Sequence, residues 1–127
     1  MKRLSTQEVL RRYTEEDLPD FFEIRLTDVN QRGHSGDTPL CVASIRGIIE
    51  EVEALLAGGA DKNLAGEMGN TPLHNAAGQG HAAVVRLLLE AGADADIRNK
   101  DGNTARDVAV LMKKDDVIAA FDDRDRR

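Results

Sequence analysis

The apolar residues between positions 70 and 96 fall into two bursts, each at helical spacing. Leu73, Ala76 and Ala77 make one face of a first helix. Thr71 is its N-cap, and Pro72 takes the first helical position, where a missing N–H costs nothing. Gly80 is expected to stop it. Val84, Val85, Leu88 and Leu89 then mark a second helix over His81 to Glu90. Gly92 follows where a left-handed residue would close it, and Ala93-Asp94-Ala95-Asp96 leads into a polar turn ending at Gly102. Two such short helices cannot hide this much apolar surface alone. Like units stacked side by side can.

The unit recurs. Gly36-Asp37-Thr38-Pro39-Leu40 returns as Gly69-Asn70-Thr71-Pro72-Leu73, and again, worn down, as Gly102-Asn103-Thr104-Ala105-Arg106, each time at an offset of 33 residues. Residues 31–63 laid over 64–96 without gaps share 13 identities in 33. The matches fall at Gly, Pro, Ala and Leu positions, which indicates a repeated backbone and not a shared composition.

The flanks read as caps. Asp28-Val29-Asn30 matches Asp61-Lys62-Asn63, so residues 1–30 form an atypical first unit. Ser5 and Glu8 make a capping box for a helix running to about Arg12. Thr14 with Asp17 suggests the start of a second helix carrying Leu18, Phe21, Phe22 and Ile24, which Pro19 would kink if the helix starts near Thr14. Leu26 stands in the slot of Gly59 and Gly92, so this junction must close differently. In residues 97–127, Val117, Ile118 and Phe121 repeat the offsets of Val84, Val85 and Leu88. Asp122 to Arg127 is expected to be a frayed, mixed-charge tail.

The chain of 127 residues is 41% hydrophobic and 31% charged, enough apolar content for a core. Aromatics are 3%, with no Trp, which argues against a stacking platform for single-stranded nucleic acid. The net charge of −6 argues against phosphate binding by general basicity. By unit the charge runs −2, −2, −3 and +1, an acidic body that favours a basic protein partner. One cysteine excludes an internal disulfide framework and fits a reducing, cytoplasmic setting. Met1-Lys2-Arg3 starts like a secretion signal, but Ser5-Thr6-Gln7-Glu8 follows where the apolar run should be. No apolar run is long enough to span a bilayer.

Thr71-Pro72-Leu73-His74, Ala76-Ala77, Gly80-His81, Val84-Val85, Leu87-Leu88-Leu89 and Gly92-Ala93-Asp94 closely resemble the ankyrin repeat, as does the 33-residue period. The resemblance spans residues 27 to 121, with 5 to 26 as a cap. It implies an all-α solenoid of about eight helices: helix-turn-helix units with projecting turns, two full repeats (31–63 and 64–96) between a cap at 1–30 and a capping repeat at 97–127. Cys41 and Asp107 stand where the family has His, and Ala105-Arg106 where it has Pro-Leu. Arg106 at a normally buried Leu position suits a last unit with nothing stacked on it.

Cys41, His74 and Asp107 hold one slot in three successive units, and their identities suggest a nucleophilic triad. Packed helices lie about 8–10 Å apart, against the roughly 3 Å that hydrogen-bonded catalysis needs. The resemblance instead makes His74 a structural histidine tied to a neighbouring turn. His34, His74 and His81 lack the spacing of metal ligands. Glu50, Glu51 and Glu53 read as a solvated helix face. Gly33, Gly36, Gly66 and Gly69 read as turn residues with positive φ, since none precedes the Lys-Ser or Lys-Thr of a phosphate loop.

What the resemblance implies about function is protein–protein interaction through the turn tips and the concave face of the first helices. Carried over slot by slot, the contact positions are Arg32, His34, Ser35, Asp37, Ile45 and Arg46 in the first full unit. In the second they are Glu67, Met68, Asn70 and Gln79, with Ala65 and Gly78. In the third they are Arg98, Lys100, Asp101, Asn103, Leu111 and Met112. Leu111 and Met112 either meet a partner or cover the bare end of the stack. Met68 and Arg46 are the expected hot spots, both outside the core. The chain is expected to be a monomer without cofactor, metal or catalytic residues, and to bind neither nucleic acid nor membrane. It is an adaptor or scaffold or, alternatively, a dedicated inhibitor or immunity protein that blocks a toxin enzyme's active site.

Overall fold

In a computed structural model, residues 3–16 and 18–125 are described. They form seven α-helices and no strand: α1 (Thr6–Glu15), α2 (Pro39–Arg46), α3 (Ile49–Ala57), α4 (Pro72–Gln79), α5 (Ala82–Glu90), α6 (Ala105–Leu111) and α7 (Asp115–Asp125). Single 3-10 turns occupy Pro19–Phe21 and Glu67–Gly69. The helices pack in two rows. The first helices of the units run α2, α4, α6, and the second helices run α1, α3, α5, α7, with α2/α3, α4/α5 and α6/α7 as hairpins.

Each unit starts as its sequence dictates. Thr38, Thr71 and Thr104 are extended residues whose hydroxyls accept the backbone N–H three residues on, which satisfies an otherwise orphaned donor. Gly47 and Gly80 end α2 and α4 at φ 75° and 81°. Leu40, Leu73, Val52, Val85, Leu55 and Leu88 are fully buried between neighbouring units. The loops repeat as well. The N–H of Asp61 donates to Asn30 Oδ1 (2.7 Å) and that of Asp94 to Asn63 Oδ1 (2.8 Å), one ladder link per unit at the 33-residue offset.

The N-terminal cap differs from the expectation in its helices. α1 continues past Arg12 to Glu15, so Thr14 starts no second helix. The Thr14 hydroxyl donates to the Leu10 carbonyl (2.9 Å) and accepts from the Leu26 N–H (3.2 Å). That pair of bonds closes the junction where later units use glycine. Asp17 lies outside the described residues. Of the expected second helix only the Pro19–Phe21 turn exists, so the α-helices number seven and not eight. Because α1 packs on α3, the cap keeps the second-helix row and lacks a first helix. Residues 18–22 lie against the 33–35 turn and α2 instead. Asp20 O accepts from His34 N–H (2.8 Å), Phe22 O accepts from His34 Nε2 (2.7 Å), and Phe21 stacks on Tyr13 at 6.0 Å.

Glu51 is the second correction. It is fully buried and does not belong to a solvated face. Its carboxylate accepts from Tyr13 Oη (2.5 Å) and Arg12 (3.1 Å), with Arg46 Nε at 3.9 Å. Arg46 also lies 5.3 Å from the Tyr13 ring centre and pairs with Glu16 at 3.0 Å. Burial, then the Glu51 hydrogen bond, push the Tyr13 phenol far above its usual range, so it remains a donor. At the other end α7 takes in Asp122 to Asp125, which are helical and not frayed; Arg126 and Arg127 lie outside the described residues. Arg106 is exposed and pairs with Asp122 at 3.1 Å.

Among the four turn glycines only Gly36 (φ 99°) and Gly69 (φ 72°) have positive φ. Gly66 is at φ −111°, and Gly33 is not left-handed either. Those two are glycine because a Cβ would strike the Asp37 side chain and Asp20, respectively.

Two outcomes follow for stability. Gly92 sits at φ 90°, so Gly92→Val is expected to cost about 1 kcal/mol or more. Leu88→Ala, which opens a cavity between units, should cost about 2–5 kcal/mol. Urea midpoints of both variants check this; an unchanged midpoint for Gly92→Val, or a Leu88→Ala cost below about 0.5 kcal/mol, contradicts the packing. Tyr13→Phe should cost about 1–3 kcal/mol by removing a buried donor from Glu51. Equal stability of Tyr13→Phe and wild type refutes the role given to that bond.

Candidate functional site

The triad candidates are spent on structure. Cys41 is buried; its N–H is held by the Thr38 hydroxyl (3.3 Å) and its Sγ lies 3.7 Å from the Leu64 carbonyl. Burial pushes this thiol up, away from the reactive thiolate. His74 Nδ1 accepts from the Thr71 N–H (3.1 Å), leaving Nε2–H to donate to the Asn103 carbonyl (2.9 Å). That bond ties α4 to the next turn. Asp107 accepts from the Thr104 N–H (3.0 Å), which lowers its carboxyl, and so does the work of His74 one unit on. Among the described residues no group of three His, Cys, Asp or Glu could hold a metal.

The contact candidates divide by what holds them. Arg32 spans the carbonyls of Gly36 (2.8 Å) and Ala65 (2.7 Å), and Arg98 holds that of Gly102 (2.8 Å), so both brace the turns they sit on. His34 is bound to Phe22, and Ser35 to Asp20 Oδ1 through its N–H (2.6 Å). Asp37 is only 7% exposed and accepts from the Glu67 N–H (3.0 Å). Asn70 accepts from Asn99 Nδ2 (2.9 Å). Arg46 is half-buried in the Glu51 cluster, so its truncation would disturb the cap, contrary to the expectation of a side chain outside the core. Glu67, Gln79, Lys100 and Asp101 are exposed.

Large apolar side chains remain uncovered on the same face. Ile45 is 37% exposed, Met68 49%, Leu111 65% and Met112 55%. Met68 has φ 59°, a left-handed conformation at a non-glycine turn tip that its counterparts Ser35 and Asp101 do not share. Ile45, Gly78 and Leu111 hold one slot in successive units. With no side chain at Gly78, a groove of about 350 Å³ runs across α4 between Ile45 and Leu111, with Asn70, Gln79, Asp101, Asn103 and Met112 on its walls. Eight of the expected contact positions, Gly78 among them, thus meet in one cleft. Sequence reasoning missed Asn75, Asn99 and Val108, which line it too. The Asn75 amide nitrogen is buried there without a hydrogen-bond partner. A second groove, of about 410 Å³, lies between the cap insert and α2; it takes in His34, Ser35, Asp37, Arg46 and Glu67 and shares Ile45 with the first. Glu50, Glu53, Arg86 and Glu90, on the second-helix row, are exposed.

A family model described as ankyrin repeats (3 copies) matches residues 13–101 and, in a second alignment, 50–121. No curated protein matches the chain.

Burial lowers the pKa of His74 from 6.5 and so keeps it neutral in the folded state. The unfolded chain then binds the extra proton, so this contribution is present above about pH 6.5 and is lost as pH falls towards the folded value. The stability difference between wild type and His74→Asn should therefore shrink from pH 7.5 to pH 5. A difference that is constant with pH in denaturant titrations contradicts the assigned tautomer and burial.

Proposed function

The chain belongs to the ankyrin repeat family, whose members generally act as protein–protein interaction modules, and we propose that it binds a partner protein across the first-helix row and turn tips. One observation carries the reading: the groove over Gly78, with Ile45, Leu111 and Met112 exposed beside it. A glycine inside α4 costs roughly 0.5–1 kcal/mol relative to alanine. A Cβ there would meet only Val108 Cγ1 at 3.4 Å, so space does not require the glycine. A partner segment that needs the groove open does account for it. Met68 supports the same reading: its carbonyl accepts the Lys100 N–H (3.0 Å), but its apolar side chain is left exposed at the turn tip.

On this reading the chain performs no catalysis and needs no cofactor. No helix among the described residues is long and apolar enough to cross a membrane. The buried, unpaired Cys41 suits a cytoplasmic setting. An adaptor and an enzyme inhibitor would present this same face, and the identity of the captured partner separates them.

Gly78→Ala should raise the melting temperature, while Gly78→Leu fills the groove and should weaken the partner captured from native cells by at least about tenfold. Met68→Ala with Leu111→Ala should cost on the order of 2 kcal/mol of affinity at little cost in stability. Charge reversal at Glu53 and Arg86, on the second-helix row, should leave affinity within about twofold. Retained binding by Gly78→Leu, with loss on reversal at Glu53 and Arg86, places the partner on the other face.

A further inference from the structure

The floor of the groove over Gly78 breaks the pattern of the units on either side of it. Asn75 stands in the slot of Val42 and Val108, and Gly78 in the slot of Ile45 and Leu111. The middle unit therefore sets an amide and a bare backbone between two apolar walls. Each choice costs the free chain. The Asn75 amide nitrogen is buried with no hydrogen-bond partner, and a buried donor left unpaired loses its hydration without return. Gly78 weakens α4, although a Cβ would fit there. The two residues are three apart on one face of α4, and both line the same groove. Neighbouring units fill these slots with Val, Ile and Leu. Two destabilising residues side by side mark a place kept open for a ligand.

The lining decides which ligand fits. Five amide side chains line the groove, and Asp101, on the exposed turn, is the one charged group among the described residues that do. The chain as a whole is 31% charged. His74, also in the lining, is kept neutral by burial. A charged side chain laid along this floor would lose water and find no opposite charge. The match is an uncharged segment. Asn75 decides its conformation. A helix has its main-chain N–H and C=O groups paired with each other and sheathed in side chains, so it offers nothing to a buried amide. An extended chain presents both groups. A carboxamide also carries both, and a half-turn about Cβ–Cγ exchanges them, so it can pair with a peptide group of either orientation. Packed helices lie about 8–10 Å apart, so the path from Ile45 across Gly78 to Leu111 takes roughly five or six residues at about 3.3 Å each.

We propose that Asn75 is the specificity-determining residue of this groove, and that it pairs with a main-chain peptide group of an extended, uncharged segment of the partner protein. This rests on the protein-binding reading above and adds the partner's chemistry to it. Gly78, lacking a side chain, lets the segment's backbone come down onto α4. Apolar side chains of the segment, on either side of that point, cover the exposed Ile45 and the exposed Leu111 and Met112.

The probe is a displayed library of random peptides about seven residues long, slightly more than the path requires, selected on the full chain. The binders should be uncharged, with apolar residues on both sides of a central position. The strongest is synthesised and titrated. Asn75→Ala, which adds no bulk, should weaken it at least about tenfold. So should one ester in place of a peptide bond, which removes the N–H and leaves a poorer acceptor. In Asn75→Ala the same ester should cost less than about twofold, since the pairing it breaks is already gone. Asn75→Val should raise the urea midpoint of the free chain while it loses the peptide, the reverse of what a structural role would give. No binder, binders dominated by charged residues, indifference to Asn75→Ala, an ester cost equal in both proteins, or a lowered midpoint for Asn75→Val overturns the proposal. If it fails while the captured partner still depends on Gly78 and Leu111, the interaction reading stands without it. If the peptide behaves as described while partner capture ignores Gly78, Met68 and Leu111, the peptide site stands and the wider reading falls.

Discussion

A two-helix unit with apolar residues on both flanks hides only the flank that a neighbour covers, so both ends of the row need substitutes for a neighbour. The two ends solve this differently. At the C-terminal end, Arg106 and Asp122 stand in the slots of Leu73 and Leu89 and pair with each other at the surface. A charged pair facing solvent needs no neighbour and resists stacking by another apolar surface. Val110, in the slot of the buried Ala77, is left 47% exposed beside Leu111 and Met112.

The N-terminal end takes a polar solution indoors. Glu51 fills the slot of Val84 and Val117, both buried. A carboxylate there is tolerable only because the cap brings Tyr13 and Arg12 to it and α2 brings Arg46. The cluster links three elements, α1, α2 and α3, at the one place where the cap lacks a helix. A buried, fully satisfied polar cluster tolerates little change of geometry. It therefore sets how the insert at residues 18–22 meets α2, and with that the shape of the groove between them.

The repeat made most of this fold legible. Thr-Pro starts, glycine stops and the 33-residue offset place the helices from α2 to α6 within a residue or two, because the units share local signals, while α7 runs four residues past its expected end. The cap was not legible for the opposite reason. Ser5 and Glu8 identify its first helix, but Thr14 resembles an N-cap by residue type alone while its hydroxyl serves the chain 12 residues on. The burial of Glu51 had a sequence signal, namely that the same slot is valine in two other units. For Gly33 and Gly66 the residue type was a correct sign of a constraint, but the constraint is contact with a neighbouring side chain and not dihedral angle. The candidate contact face was legible as a set of slots. Which members of it were already bonded was not, since Arg32 to Ala65 and Asp37 to Glu67 are links between units.

Those links also decide what the face can recognise. Arg32, Arg98, Asp37, Asn70 and Ser35 look like contact residues by position, yet each spends its hydrogen bonds holding one turn in shape or joining it to the next. Asking such a group to bind a partner means breaking an internal bond first, which offsets most of what a new bond would contribute. Recognition then falls to groups with nothing to lose: the uncovered apolar side chains of Ile45, Met68, Leu111 and Met112, the unpartnered Asn75 amide in the floor of one groove, and the exposed Glu67 carboxylate at the edge of the other. The rigidity of the turns is what gives these few groups their value. Apolar anchors on a braced backbone lose little conformational freedom on binding, so more of the burial they make is kept as affinity.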